Sequence, residues 1–274
     1  MADGPRTRRS LLLSAGAAGS VSIVGHVRAS AEDSDGDGIP DRTKRSAAFH
    51  RRLESIFGAE QFSGLEVGRR DLLLDVRYVG ETQLVPSTKR TIVEQCRARG
   101  IHAQWLDYPR RYDLEEVTER YGTAVKDLLW GRRSFYAGEI ESDLKNVALQ
   151  LVVVPGVSKP GVEGRIYSHW MDTTGSGIDG YVNGFSVGNR AVVAERDDPL
   201  EEARLVFHEI AHLALCHDDD PENTGVMGTG DDVDLTDEEW ERFRDGLSNV
   251  RDRTGYDVLF RPCLWHENLS AVLE

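Results

Sequence analysis

Two histidines four residues apart constrain this chain more than any other feature. His208-Glu209-Ile210-Ala211-His212 lies inside a helix-like run covering residues 200–216. Residues at i and i+4 of an α-helix project from one face, so His208 and His212 can share one metal ion. Glu209 follows the first histidine and is placed to take a proton from a nearby water rather than to bind the metal. Val206, Ile210, Leu213 and Ala214 form an apolar stripe beside the pair, so this helix is expected to be buried on one side. Two imidazoles and an adjacent carboxylate are the donor set that zinc hydrolases use. The bland alternative is two core histidines on an amphipathic helix.

A catalytic zinc takes three protein ligands and keeps one position for water. A helix running on past His212 would point the next donors away, so the chain must turn after about Ala214 to bring His217 or Asp218 back. Farther on, Thr224-Gly225-Val226-Met227-Gly228 puts a methionine in a glycine-flanked turn. The segment HEIAHLALCHDDDPENTGVMG resembles the metzincin clan of zinc endopeptidases, whose pattern is H-E-x-x-H-x-x-G-x-x-H or D followed by a turn with methionine beneath the metal. The likeness extends, in element order, over residues 71–253. It implies an α/β (α+β) zincin fold: a twisted, mixed but mainly parallel sheet, an active-site helix, a methionine turn at Met227 and a C-terminal helix. It also implies a zinc-dependent endopeptidase with Glu209 as general base and a peptide or protein substrate. In that clan an extended substrate adds to the sheet as an extra strand, and residues 190–195 are the expected edge.

Two positions depart from the pattern. Leu215 stands where the clan has the glycine that lets the helix stop abruptly, and the strict third-ligand spacing falls on Asp218, with His217 one residue early. Reading L-C-H-D as a one-residue deletion favours His217, because imidazole reaches farther and is the commoner ligand; Asp218 stays open. A different zinc arrangement would draw its third ligand from a later helix, at Glu238 or Glu239. Two further functions compete: a catalytically inactive zinc- and calcium-binding surface protein on the same fold, which Leu215 favours, and a zinc hydrolase of non-peptide amides.

The remaining elements alternate as such a fold requires. Residues 71–79 (DLLLDVRYV) and 146–154 (NVALQLVVV) read as buried strands, and 101–106 as another. Ser87 is the expected cap of a helix to Arg99, closed by Gly100. Helices are expected at 113–121, at 123–130 and from Pro40 to Phe57, and a last one from Thr236 to about Arg253. The glycine-rich stretch 175–188 is too irregular for a helix. Cys96, Cys216 and Cys263 are an odd number, so at least one is unpaired within the chain. Asn268-Leu269-Ser270 is a weak glycosylation sequon.

The N-terminal part divides by composition. Arg8-Arg9 followed by an apolar, Gly- and Ser-rich run and by Ala29-Ser30-Ala31 resembles a twin-arginine export signal with a cleavage site. Residues 1–31 are thus read as a signal peptide, leaving a secreted protein without a permanent membrane span. Residues 32–65 form an Asp-rich segment and helix, and 66–274 the zinc protease domain. Asp33, Asp35, Asp37 and Asp41, with Gly38 at the sixth position, resemble the start of an EF-hand loop and more closely the calcium repeats of thrombospondin type 3. Calcium is therefore expected there beside zinc at the histidines, although Lys44 replaces the bidentate glutamate of an EF-hand. The formal charge of −14 argues against a nucleic-acid partner, which needs a basic surface.

Overall fold

Continuous apolar runs build the centre of the sheet. In the computed structural model, which describes residues 32–122, 125–129, 133–155, 166–168, 180–215, 225–228 and 232–250, β1 (Asp71–Tyr78) and β3 (Ala148–Val154) are buried along their whole length. Strands covered on both faces have this composition in parallel sheets. β2 (His102–Asp107) and β3 flank β1 in parallel, β7 (Arg190–Ala194) runs parallel to β3, and β6 (Gly184–Val187) closes the edge antiparallel to β7. The order is β2-β1-β3-β7-β6. β4 (Ile166–Ser168) and β5 (Gly180–Val182) pair separately as antiparallel strands. Four of the five main strands are thus parallel, as expected, but the expected substrate edge is not. Residues 190–194 lie inside the sheet, and the edge is β6, within the glycine-rich stretch.

Period-two alternation splits each run between two cores. Leu72, Leu74, Val76 and Tyr78 face one core together with Ile92 and Cys96 of α3 (Pro86–Ala98) and the apolar side of α8 (Pro199–Ala214). Leu73, Val152 and Val192 face the other. That second core is covered by α2 (Ala47–Phe57), α4 (Leu114–Arg120), α5 (Val125–Leu129), α6 (Phe135–Glu139) and α7 (Ser142–Lys145). It also holds a buried cation. Arg77 donates to Asp75 Oδ2 at 2.9 Å and to Glu141 Oε2 at 2.8 Å, and lies 3.3 Å from the centre of the Tyr108 ring. Burial pushes the Asp75 carboxyl up to about 6, against the opposing pull of Arg77.

The expected helix from Pro40 to Phe57 is two helices. α1 (Asp41–Lys44) stops after one turn, and Ser46 starts α2 afresh by accepting from Phe49 N. At α3, Pro86 takes the first position and Val85 caps without a side-chain bond. Glu202 supplies the missing acceptor from another helix: its Oε1 receives Val85 N at 2.8 Å and the Thr88 hydroxyl at 2.6 Å. Cys96 is a free thiol whose pKa burial pushes up to about 12, so an intrachain disulfide is limited to Cys216 and Cys263, which lie outside the described residues. Among the described residues no helix is long and apolar enough to cross a membrane.

α8 carries the histidines. Asp198 caps its start by accepting from Leu200 N and Glu201 N, with Pro199 next and Glu201 and Glu202 in the first turn, where acidic side chains favour the positive end of the helix. Its end needs no glycine. Leu215 adopts an extended conformation (φ −75°, ψ 137°), its N–H reaches Ala211 O at 2.7 Å, and its side chain is buried in the first core. Burying a leucine contributes about 1.5–3 kcal/mol, which here holds the extended residue that ends the helix. The last helix, α9 (Asp237–Val250), packs against this end at Gly246, where an added Cβ would stand 2.7 Å from Ala214 C and closer still to Ala214 O. Gly246→Ala should therefore cost about 1–3 kcal/mol through overpacking. A thermal melt should show a fall of several degrees, against no change for Asp245→Ala at the exposed neighbouring position.

Candidate metal centre

The two histidines meet as the helical spacing predicts. Their Nε2 atoms are 2.9 Å apart and the rings stand edge to face, 4.4 Å between centres. Both are half-buried, whereas Val206, Phe207, Ile210 and Ala211 around them are buried. His208 Nδ1 is 2.9 Å from the carbonyl of Val226. A carbonyl can only accept, so Nδ1 carries the proton and the Nε2 lone pair faces His212. Two nitrogens bound to one tetrahedral zinc at about 2.0–2.1 Å lie roughly 3.3 Å apart. The observed pair thus fits a shared ion after a few tenths of an ångström of opening.

The methionine turn lies beside this pair and is tied to α8 twice. Val226 accepts from His208, and Gly228 O accepts from Arg204 Nη2 at 2.8 Å, one helical turn before His208. Gly228 N closes the turn onto Gly225 O at 3.0 Å, and Val226 N reaches Asp234 O. Met227 is buried in the same core as Ile210 and Leu213. Arg204 was not singled out from sequence; its spacing of four from His208 was the available signal.

Glu209 is buried on the side of α8 that meets β6. The Ser186 hydroxyl donates to Glu209 Oε2, with Glu209 O 3.0 Å away, and Gly184 passes so close that a side chain there would collide with the carboxylate. Neither small residue stood out in the sequence. His217 and Asp218, the two readings of the third ligand, lie outside the described residues, as do the signal segment and the Asn268 sequon. The later glutamates do not join the histidines. Glu239 is buried in a capping box, its Oε2 accepting from Thr236 N at 2.7 Å and from the Thr236 hydroxyl, and Glu238 is exposed. Among the described residues, the group of three metal-type donors that converges is Asp33, Asp35 and Asp37.

That aspartate loop folds in part on its own backbone. Asp33 accepts from Gly36 N and Gly38 N, Asp37 from Ile39 N, and Asp41 from Ser34 N. Gly36 and Gly38 have positive φ, as the tight wrap requires. However, the structure sets a cation of its own against the carboxylates expected to hold calcium. Lys44 is fully buried, and Nζ donates to Asp35 Oδ2 at 2.8 Å, Asp37 Oδ2 at 2.7 Å and Arg69 O at 2.7 Å, which uses all three ammonium protons. Asp71 Oδ2 is 3.5 Å away. Burial works against the charge, but the bonds to Asp35 and Asp37 outweigh it and hold the ammonium pKa above the usual lysine value. One oxygen, Asp35 Oδ1, is buried without a partner. A divalent ion placed on it would stand beside a saturated ammonium, a like-charge contact costing on the order of several kcal/mol at an effective dielectric near 20. The donor set therefore fits one ammonium better than calcium.

No family profile matches the chain, and no curated protein matches it. Solved structures resemble it, two archaemetzincins among them. Archaemetzincin from Methanopyrus kandleri is 16% identical with a TM-score of 0.42, covering 66% of this chain and 98% of its own. Archaemetzincin from Archaeoglobus fulgidus, in a complex with malonate, is 16% identical with a TM-score of 0.35, covering 62% and 99%.

The lysine in the aspartate loop yields a direct test. Millimolar calcium should leave the melting temperature of the unaltered protein unchanged. Lys44→Glu, which removes the ammonium and adds the missing carboxylate, should melt lower in chelator and recover when calcium, but not magnesium, is added. A rise in melting temperature of the unaltered protein with calcium would return the loop to the metal.

Proposed function

We propose that this chain is a zinc-dependent metallopeptidase. The observation that carries the reading is the convergence of His208 Nε2 and His212 Nε2 at 2.9 Å, with the first imidazole oriented by Val226 O. His208 and His212 would hold the ion with a third donor from His217 or, on strict spacing, Asp218. A bound zinc supplies Lewis acidity, bringing water's pKa toward about 7 and polarising a carbonyl.

The chain's own residues do the rest. Glu209 accepts a proton from the attacking water as its oxygen bonds to the carbonyl carbon. The same carboxyl then gives that proton to the amine nitrogen as the C–N bond breaks, so no proton is gained or lost overall. The strand β6, last in the sheet order, is the place where an extended peptide would add. Export by the twin-arginine route, with cleavage after Ala31 and a secreted product, belongs to the same proposal. N-terminal sequencing of the mature protein tests it.

Glu209→Gln should keep its zinc and its melting temperature while casein hydrolysis falls by about two to four orders of magnitude. Zinc analysis beside an assay with and without chelator decides this, and undiminished hydrolysis by Glu209→Gln would sink the mechanism. For the third ligand, His217→Ala should weaken zinc binding much more than Asp218→Ala. The reverse order would give the position to Asp218. Zinc bound without cleavage of any peptide would favour the inactive binding protein instead.

A further inference from the structure

β6 puts two small residues, Gly184 and Ser186, against Glu209. Residues two apart in a strand share a face, and the intervening Phe185 packs toward the second core. At Gly184 an added Cβ would stand 2.7 Å from Glu209 Cγ and Cδ, and closer to Oε1. At Ser186 the hydroxyl meets both the backbone carbonyl and the carboxylate of Glu209. A serine hydroxyl has one proton to give. The carbonyl at 3.0 Å and the carboxylate oxygen Oε2 are both in its reach, and a carboxylate is the stronger acceptor.

We propose that Ser186 is a positioning residue for the general base: its hydroxyl fixes the plane of the Glu209 carboxylate, and the bare Cα of Gly184 makes the space in which Oε1 stands. The inference rests on the reading of Glu209 as the proton acceptor. Glu209 has three side-chain torsions, and leaving them free would add rotamer entropy to every proton transfer. A bond to Oε2 sets where Oε1 points before substrate arrives, which is the pre-organisation that a base needs. Because Ser186 and Gly184 sit on the edge strand, a peptide docked along β6 would find the base already in register with it.

The test uses zinc-loaded protein, a fluorogenic peptide and acetohydroxamate, a zinc chelator whose hydroxyl proton passes to a neighbouring carboxylate. Ser186→Ala should lower kcat by about 10–100-fold with KM within about twofold, and with zinc content and melting temperature unchanged. Ser186→Thr, which keeps the hydroxyl, should recover most of the rate, and Gly184→Ala should lose kcat while retaining zinc. Acetohydroxamate should bind Ser186→Ala several-fold more weakly, and the loss should vanish when Glu209→Gln is already present. An unchanged kcat, or a loss matched by lower zinc content or melting temperature, would reduce Ser186 to a structural role. If the unaltered protein cleaves no peptide, the proposed function fails, yet the hydroxamate cycle still reads the Ser186–Glu209 coupling; additivity in that cycle overturns it.

Discussion

The hydrogen bond from His208 Nδ1 to the carbonyl of Val226 is the contact on which the candidate metal centre depends. It joins the middle of α8 to the methionine turn across 18 residues of sequence, so the turn cannot shift without rotating an imidazole. It also decides which nitrogen carries the proton, and hence which lone pair faces His212. Arg204 repeats the tie one turn earlier through Gly228 O, and burial of Met227 in the first core backs both polar contacts with packing. Two hydrogen bonds and one buried side chain thus set the first imidazole before any ligand arrives.

The helix is held from its other sides by equally specific means. Glu202 fastens its first turn to the start of α3, which itself packs over β2. Leu215 and Gly246 define its end, one by filling the core and the other by leaving room for a carbonyl. β6 closes over Glu209. Because the sheet beneath is buried on both faces, these contacts are referred to a rigid support, and small displacements at the helix are resisted by packing on every side.

What the sequence made legible follows from burial. β1 and β3 read clearly because strands covered on both faces need apolar residues at every position, and α8 because its stripe and its histidines share the helical period. β6 did not read as a strand, and the cause lies in the site itself. Gly184 and Ser186 are small because Glu209 comes against them, and small residues are poor strand formers. The contact with Glu209 therefore erased the local signal, and the expected edge fell on residues 190–195 instead. The short helices α6 and α7 were missed since one turn or so carries no period to detect. The calcium reading rested on the aspartates, three of which do converge, and counted Lys44 as a missing glutamate; the fold sets its ammonium against Asp35 and Asp37.

That lysine changes what the N-terminal loop demands of its surroundings. A loop closed by a metal is as stable as the local supply of that metal allows, and it loosens wherever the ion is scarce. A loop closed by an ammonium carries its counter-charge in the polypeptide, so its closure is expected not to depend on divalent concentration. Should the chain leave the cell already folded, as the proposed twin-arginine route requires, the aspartate loop can lock onto β1 in a calcium-poor cytoplasm and arrive outside unchanged. Where Lys44 closes the loop, the requirement is met by the chain itself rather than by its surroundings.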